Sequence, residues 1–237
     1  TMNCFIMEGM PDTMELSFFN TLSRRNEAFV PLEKHTAKMY TCGPTVYNYA
    51  HIGNFRAYIF EDLLRRTLEY FGYKVVQVMN LTDVDDKTIR DSQKAGMSLD
   101  DFTAIYKKAF FEDLKTLNVE PAEFYPAATD HIAEMIELIK VLFAKGIAYQ
   151  AEDGSVYFSI DKFPEYGKLA KIDRENQRSG VRIKNDEYAK DAVADFALWK
   201  ARDAADGDVW WPSPWGEGRP GWHIECSAMS MKYLGDS

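Results

Sequence analysis

The stretch Tyr40–Arg56, YTCGPTVYNYAHIGNFR, decides how the rest of the chain is read. It opens as a short apolar–polar run, turns at Gly43-Pro44, and passes through His51-Ile52-Gly53-Asn54. An amphipathic helix follows directly. From Phe55 to Phe71 two rows, Phe55, Ile59, Leu63 and Phe60, Leu64, Leu68, repeat every four residues, which is helical spacing. Gly72 stands where such a helix would stop. A strand, a glycine-bearing turn and a helix N-terminus in that order lay out a phosphate-binding site. The first backbone N–H groups of the helix lack partners, and its dipole favours negative charge. Asn54 is the expected N-cap. His51 offers a donor for charge building on a phosphate in a transition state. It can equally be read as a helix-start histidine bonded to nearby backbone.

Outward from this stretch the pattern stays α/β. Thr36–Tyr40 is expected to be the strand that enters it. Lys74–Met79, KVVQVM, is β-branched and mostly apolar, as a buried parallel strand would be. Strand, helix and strand make a βαβ unit with a right-handed crossover. Asn80–Lys87, NLTDVDDK, then falls at the carboxyl end of the second strand, where ligands bind in open α/β sheets. Asp83, Asp85 or Asp86 can serve a ligand there, or simply cap the next helix. The pattern argues against a calcium loop, because the required glycine and distal glutamate are missing.

Residues 98–118 and 130–145 read as two further helices. Ser98 with Asp101 suggests a capping box. Leu99, Phe102, Ile105, Tyr106, Ala109 and Phe110 are the expected inner face of the first helix. Ile132, Ile136, Ile139 and Phe143 are that of the second, and both stripes are packing positions. Ile147–Gln150 and Val156–Ile160, joined through Asp153-Gly154, predict a hairpin. Asp161–Lys190 is dense in both charges and poor in anchors, which predicts a solvated, mobile segment. Trp210–Gly235, WWPSPWGEGRPGWHIECSAMSMKYLG, begins as a loop shaped by Pro212, Pro214 and Pro220 with Gly216, Gly218 and Gly221. Its Trp222–Met229 portion reads as a strand end or a helix start.

Composition narrows the function classes. The chain has 237 residues, 46% of them hydrophobic, so it can bury a real core. The formal net charge of −9 argues against gripping nucleic acid mainly through its phosphates, so any RNA contact should be local. No apolar run reaches the roughly 20 residues of a membrane span. Residues 1–15 have no basic segment ahead of an apolar core, and are expected to be an extension or tag remnant rather than a secretory signal. Cys4, Cys42 and Cys226 are too few and too scattered for a disulfide framework. They suit a reducing cytoplasm.

The strings themselves carry a resemblance. His51-Ile52-Gly53-Asn54 resembles the HIGH signature of class I aminoacyl-tRNA synthetases, with Asn54 in place of the last histidine. Cys42–Tyr47 ahead of it, Asn80–Lys87, and above all WPSPWGEGRPGWHIECSAM resemble the cysteinyl-tRNA synthetases. The likeness runs from about Leu16 to the end. It implies a Rossmann-like, doubly wound, mostly parallel α/β sheet with a helical and hairpin insertion. The first half of the catalytic domain would be residues 16–97, the connective insertion 98–208, and the start of the second half 209–237.

Such enzymes activate L-cysteine with ATP and Mg2+, then transfer the acyl group to the 3′ end of tRNA(Cys). They work in the cytoplasm, and a monomer is expected. The resemblance gives ATP to Pro44, Thr45, His51, Ile52, Gly53 and Asn54, with His51 and Asn54 catalytic. It gives the cysteine substrate to Gly43, Thr82 and Trp222. Cysteine must be told from serine, and an apolar pocket separates groups so alike by only about a hundredfold. Zn2+ solves this by preferring a thiolate. Its two cysteine ligands map to Cys42 and Cys226, whose sulfurs should then converge to within about 4 Å. In the family the histidine and glutamate ligands and the KMSKS loop lie beyond Gly235, so the chain reads as an N-terminal portion, inactive alone. His223 and Glu225 are local substitutes for those ligands. Two other readings compete: the cysteine ligase of mycothiol biosynthesis, and a non-catalytic zinc-binding fragment.

Overall fold

A computed structural model describes residues 15–170 and 195–236. The chain opens with an exposed hairpin, β1 (Ser17–Asn20) and β2 (Arg25–Ala28), paired antiparallel. β3 (Thr36–Thr41) leads through the Gly43-Pro44 turn into α1 (Ile52–Tyr70), and β4 (Lys74–Met79) returns alongside. β3 and β4 pair in parallel, from Thr36 opposite Lys74 to Thr41 opposite Met79. The expected βαβ unit is therefore present.

A third segment joins this layer on the other edge of β4. Phe124 and Ala127 form parallel bridges to Val78 and Leu81. The Met79 amide donates to the Phe124 carbonyl at 3.0 Å, and the Leu81 amide to Pro126 at 2.8 Å. Between β4 and that segment run α2 (Asp86–Ala95) and α3 (Leu99–Thr116). The run Gln77–Val84 is buried without interruption, as a strand and its exit covered on both faces should be.

Three apolar clusters lie about this layer, the smallest of them Ala37, Leu68 and Val75 under the β1–β2 hairpin. A second joins Phe55 and Tyr58 of α1, Met79, Leu81, and Phe110 and Leu114 of α3. The third gathers Val84, Ile89, Leu198, Trp199, Ile224 and Met229 with the inner face of α4 (Ile132–Ala144). In α4, Ile132 and Ile139 are buried and Ile136 and Phe143 pack against that core, as the spacing predicted.

The insertion is larger than a hairpin. β5 (Ala148–Gln150) and β6 (Val156–Phe158) do pair antiparallel, but β7 (Phe196–Ala201) and β8 (Gly218–Pro220) extend them into a four-stranded sheet. α5 (Trp222–Leu234) follows at once, so the Trp222–Met229 portion is helical. Packing thus groups residues 99–127 with the parallel layer, and 218–220 with the insertion sheet. An ion-pair cluster ties the two parts together: buried Arg219 of β8 pairs with buried Asp206 at 2.7 Å and with the exposed Asp86, the first residue of α2. Burial raises the Asp86 carboxyl, but Arg219 and Lys200 outweigh it and hold it below its ordinary value.

Three local expectations change. α1 is helical where its spacing says, yet its covered positions are Phe55, Tyr58, Arg65 and Leu68, while Ile59, Phe60 and Leu63 are exposed. The four-residue rows mark the helix period. Which stripe is buried depends on what lies beneath it. In α3, Ile105 is likewise exposed. Ser98 caps α3 through the Asp101 amide, with its hydroxyl donating to the Asp101 carboxylate. The carboxylate is used up on that hydroxyl instead of on the Ser98 amide. The stretch expected to be mobile lies outside the described residues from 171 onward. Up to 170 it is turns, with Phe163 and Tyr166 packed near Phe158 and Phe196.

Candidate functional site

The carboxyl ends of β3 and β4 and the N-terminus of α1 meet at one place. Past β3 and β4 the two chains stay joined. The Val46 amide donates to the Thr82 carbonyl at 3.0 Å, and the Thr82 amide to the Pro44 carbonyl at 3.1 Å. Pro44 and Thr45 are thereby held against Thr82 at the exit of the two strands. Gly43 is required by contact: a Cβ there would lie 2.0 Å from the Asn80 carbonyl oxygen. Its amide donates to the Asn80 side-chain oxygen at 3.3 Å.

At the start of α1 the N-cap is His51, and not Asn54 as expected. His51 Nδ1 accepts the Gly53 amide at 3.0 Å, and Asn54, at the third helical position, accepts the His51 amide at 3.0 Å. An imidazole nitrogen at the right reach competes for the same orphan donors as an asparagine oxygen. The ring folds over Gly53, where a Cβ would meet His51 Cε1 at 2.8 Å. Since Nδ1 accepts, the neutral ring carries its proton on Nε2, and the exposed side chain presents that N–H outward. His51 is thus a local cap, and the cap uses only its Nδ1. Ile52 beside it is exposed.

Cys42 follows β3 and Cys226 sits in the second turn of α5, yet their sulfurs are 3.8 Å apart across 184 residues. That matches the separation of two sulfurs at about 2.3 Å from one tetrahedral metal. The contact with Cys226 lowers the Cys42 thiol to about 7, against burial and the Glu61 charge. The same contact, with burial, pushes the Cys226 thiol up. The pair therefore gives up one proton easily and holds the second. Among the described residues no group of three or more His, Cys, Asp or Glu side chains forms a metal cluster. What the described chain offers a metal is these two sulfurs.

Thr82 is buried, and its hydroxyl donates to Glu225 at 3.3 Å and accepts the Asn80 amide at 3.2 Å. Glu225 Oε2 is thus engaged by Thr82. Burial raises its carboxyl well above the ordinary range, and the neighbouring Cys226, Asp83 and Asp85 add to that. His223 lies against the Phe196 and Trp222 rings. Trp222 itself is 61% exposed at the start of α5, so it is not a core aromatic. The aspartates divide their labour. Asp83 is buried, accepting from Lys107 at 2.5 Å and from the Thr129 amide and hydroxyl. Asp85 caps α2 through the Lys87 amide at 2.8 Å, and Asp86 binds Arg219 and Lys200.

One residue at the site, and one contact, went unnoticed in the sequence. Glu225 was weighed only as a metal ligand, and its link to Thr82 has no local signal, because the two are 143 residues apart. The Tyr40 hydroxyl is buried beside Cys226, and only the packing of α5 on β3 brings it there.

A family profile described as tRNA synthetases class I (C) catalytic domain matches residues 28–237. The chain belongs to that class I synthetase family. Its curated relatives bear the name cysteine–tRNA ligase. The one from Brachyspira hyodysenteriae is 59% identical over 223 residues, 93% of this chain and 47% of the relative. That from Protochlamydia amoebophila is 54% identical over all of this chain and 49% of its own. That from Chlamydia pneumoniae is 55% identical over 94% of this chain and 47% of its own. The chain spans about half the length of these relatives. A solved LeuRS–tRNA–LeuAMS complex from Agrobacterium radiobacter K84 is only distantly similar, with a TM-score of 0.44 and 23% identity over 52% of this chain and 16% of that one. Among the described residues no helix is long and apolar enough to cross a membrane.

Proposed function

We propose that the whole protein is a cytoplasmic, monomeric ligase that activates L-cysteine with ATP and passes it to the 3′ end of tRNA(Cys). The observation that carries this reading is the 3.8 Å approach of Cys42 and Cys226 next to the His51-capped start of α1. It stands in a chain 54–59% identical to cysteine–tRNA ligases. The parallel layer of β3, β4 and the 124–127 segment is read as half of a doubly wound, Rossmann-like sheet.

The residues divide into two groups. Pro44, Thr45, Ile52, Gly53 and Asn54 shape the mouth of α1, where a helix N-terminus accepts phosphate. His51 holds its proton on Nε2 and donates it as a hydrogen bond to charge growing on the α-phosphate while the cysteine carboxylate attacks. A donor that tightens only then raises the rate without tightening the ground state. Gly43 lets the backbone approach closely, Thr82 is fixed by Glu225 and Asn80, and exposed Trp222 borders the same end. Together they hold the amino acid. Cys42 and Cys226 would hold a zinc ion, which supplies a soft acceptor preferring a thiolate to a hydroxyl.

The test uses the full-length protein. Cysteine-dependent ATP–pyrophosphate exchange is expected, with serine a poor substrate. Cys226→Ser should lose cysteine binding and keep ATP binding. Equal exchange with serine, or a Cys226→Ser protein that binds cysteine normally, would overturn the reading.

A further inference from the structure

The approach of Cys42 and Cys226 permits a second chemistry. We infer that, when no metal lies between them, Cys42 and Cys226 are oxidised by a hydroperoxide to an intramolecular disulfide. The pair is then a reversible modification site, and it cannot be oxidised and metal-loaded at once. The exclusion of metal rests on the zinc reading above. The disulfide rests only on the geometry.

Three features support it. The sulfurs are 3.8 Å apart, and a disulfide needs about 2.05 Å, so about 1.8 Å remains to be closed. The two backbones are already held near each other. α5 packs on β3 and β4, Ile224, Ala228 and Met229 are buried in the core, and Lys38 Nζ of β3 donates to the Leu234 carbonyl at 3.1 Å. The pair is also unequally accessible. Cys42 is exposed and Cys226 half-buried, so an oxidant meets Cys42 first and the second thiol waits beside it.

The steps balance. The Cys42 sulfur attacks the peroxide oxygen, the O–O bond breaks, and Cys42 becomes a sulfenic acid as the alcohol or water leaves. The Cys226 sulfur then attacks the Cys42 sulfur, an S–S bond forms, and water leaves with the Cys226 proton. Two thiols are oxidised and one hydroperoxide is reduced. Both sulfurs are then in a covalent bond and offer no thiolate to a metal. A reducing thiol restores them by exchange.

The test treats the full-length protein, stripped of metal by a chelator that is then removed, with one equivalent of hydrogen peroxide. Intact mass should fall by two hydrogens, and peptide mapping should join the peptides containing Cys42 and Cys226. Dithiothreitol should reverse both. Cys226→Ser should stop at a sulfenic acid on Cys42 that dimedone traps. The wild-type map decides the matter even if that variant does not fold. Zn2+ added first at ten times its Kd should slow disulfide formation about tenfold. The oxidised chain should bind no Zn2+ until reduced. Sulfinic acid on either cysteine without the link, or a link to Cys4 instead, would overturn the disulfide and leave the zinc reading standing. The reverse outcome is a disulfide that forms equally fast with Zn2+ present. That would sink the metal exclusion and count against the zinc reading.

Discussion

His51 does two things at once, and one pair of substitutions separates them. His51→Ala removes the Nδ1 acceptor of the Gly53 amide and the Nε2 donor together. Losing an N-cap costs about 0.5–2 kcal/mol. Here the ring is exposed and only one amide is left bare, since Asn54 still accepts from the backbone at position 51. The cost should therefore sit near the low end, about 0.5–1 kcal/mol. His51→Asn puts back a cap oxygen, because asparagine is among the best N-caps, and should unfold within a few tenths of a kcal/mol of wild type. Its amide is too short to reach where Nε2 stood. Both variants of the full-length enzyme should therefore lose about 10²-fold in pyrophosphate exchange, the scale of one lost transition-state donor. Cysteine affinity should barely change in either. Urea denaturation and exchange kinetics on the two variants are the measurements. If His51→Asn restored exchange along with stability, the rate effect would belong to the cap and the donor role would be wrong. If His51→Ala lost cysteine binding but kept exchange at saturating cysteine, His51 would belong to the amino-acid pocket.

Gly43→Ala places a Cβ 2.0 Å from the Asn80 carbonyl oxygen, backbone against backbone, so the pairing of the Gly43–Val46 and Asn80–Thr82 segments must open. A loss of about 3 kcal/mol is expected by urea denaturation, the upper end for overpacking, and an unchanged midpoint would refute the close approach. Burial raises the Glu61 carboxyl to about 7, against a hydrogen bond from Thr41 that lowers it. The folded state then binds more protons than the unfolded one between the ordinary 4.5 and about 7, so Glu61 makes stability fall as pH rises through that window. Glu61→Gln should flatten this slope and add about 1 kcal/mol at pH 8 after allowing for solvent screening, read from denaturation midpoints at pH 5 and pH 8. A slope unchanged by the substitution would show that Glu61 is ionised in the fold throughout.

Local order was legible in the sequence because it is written in local terms. β4 runs from Lys74 to Met79 as its β-branched pattern says, and α1 appears at its four-residue spacing. The order of strand, turn and helix at Cys42–Asn54 placed a ligand end where the two strands do end together. The strings WPSPWGEGRPGWHIECSAM and HIGN pointed to the family. Hydrogen bonding within a helix, and the alternation of a strand, depend on residues a few positions apart, so a chain declares them in passing. What needed the tertiary structure were meetings between distant residues. These include Cys42 with Cys226, Thr82 with Glu225, Arg219 with Asp86, and Phe124 with the free edge of β4. The choice of His51 over Asn54 as cap also needed it, although the two are neighbours. Both can satisfy an orphan amide, and only the path of the turn into α1 decides which ring or amide reaches it. The covered stripe of α1 was decided in the same way. Spacing reports that a stripe exists, but burial is settled by the strands and helices that come to lie against it, and no residue of α1 carries that information alone.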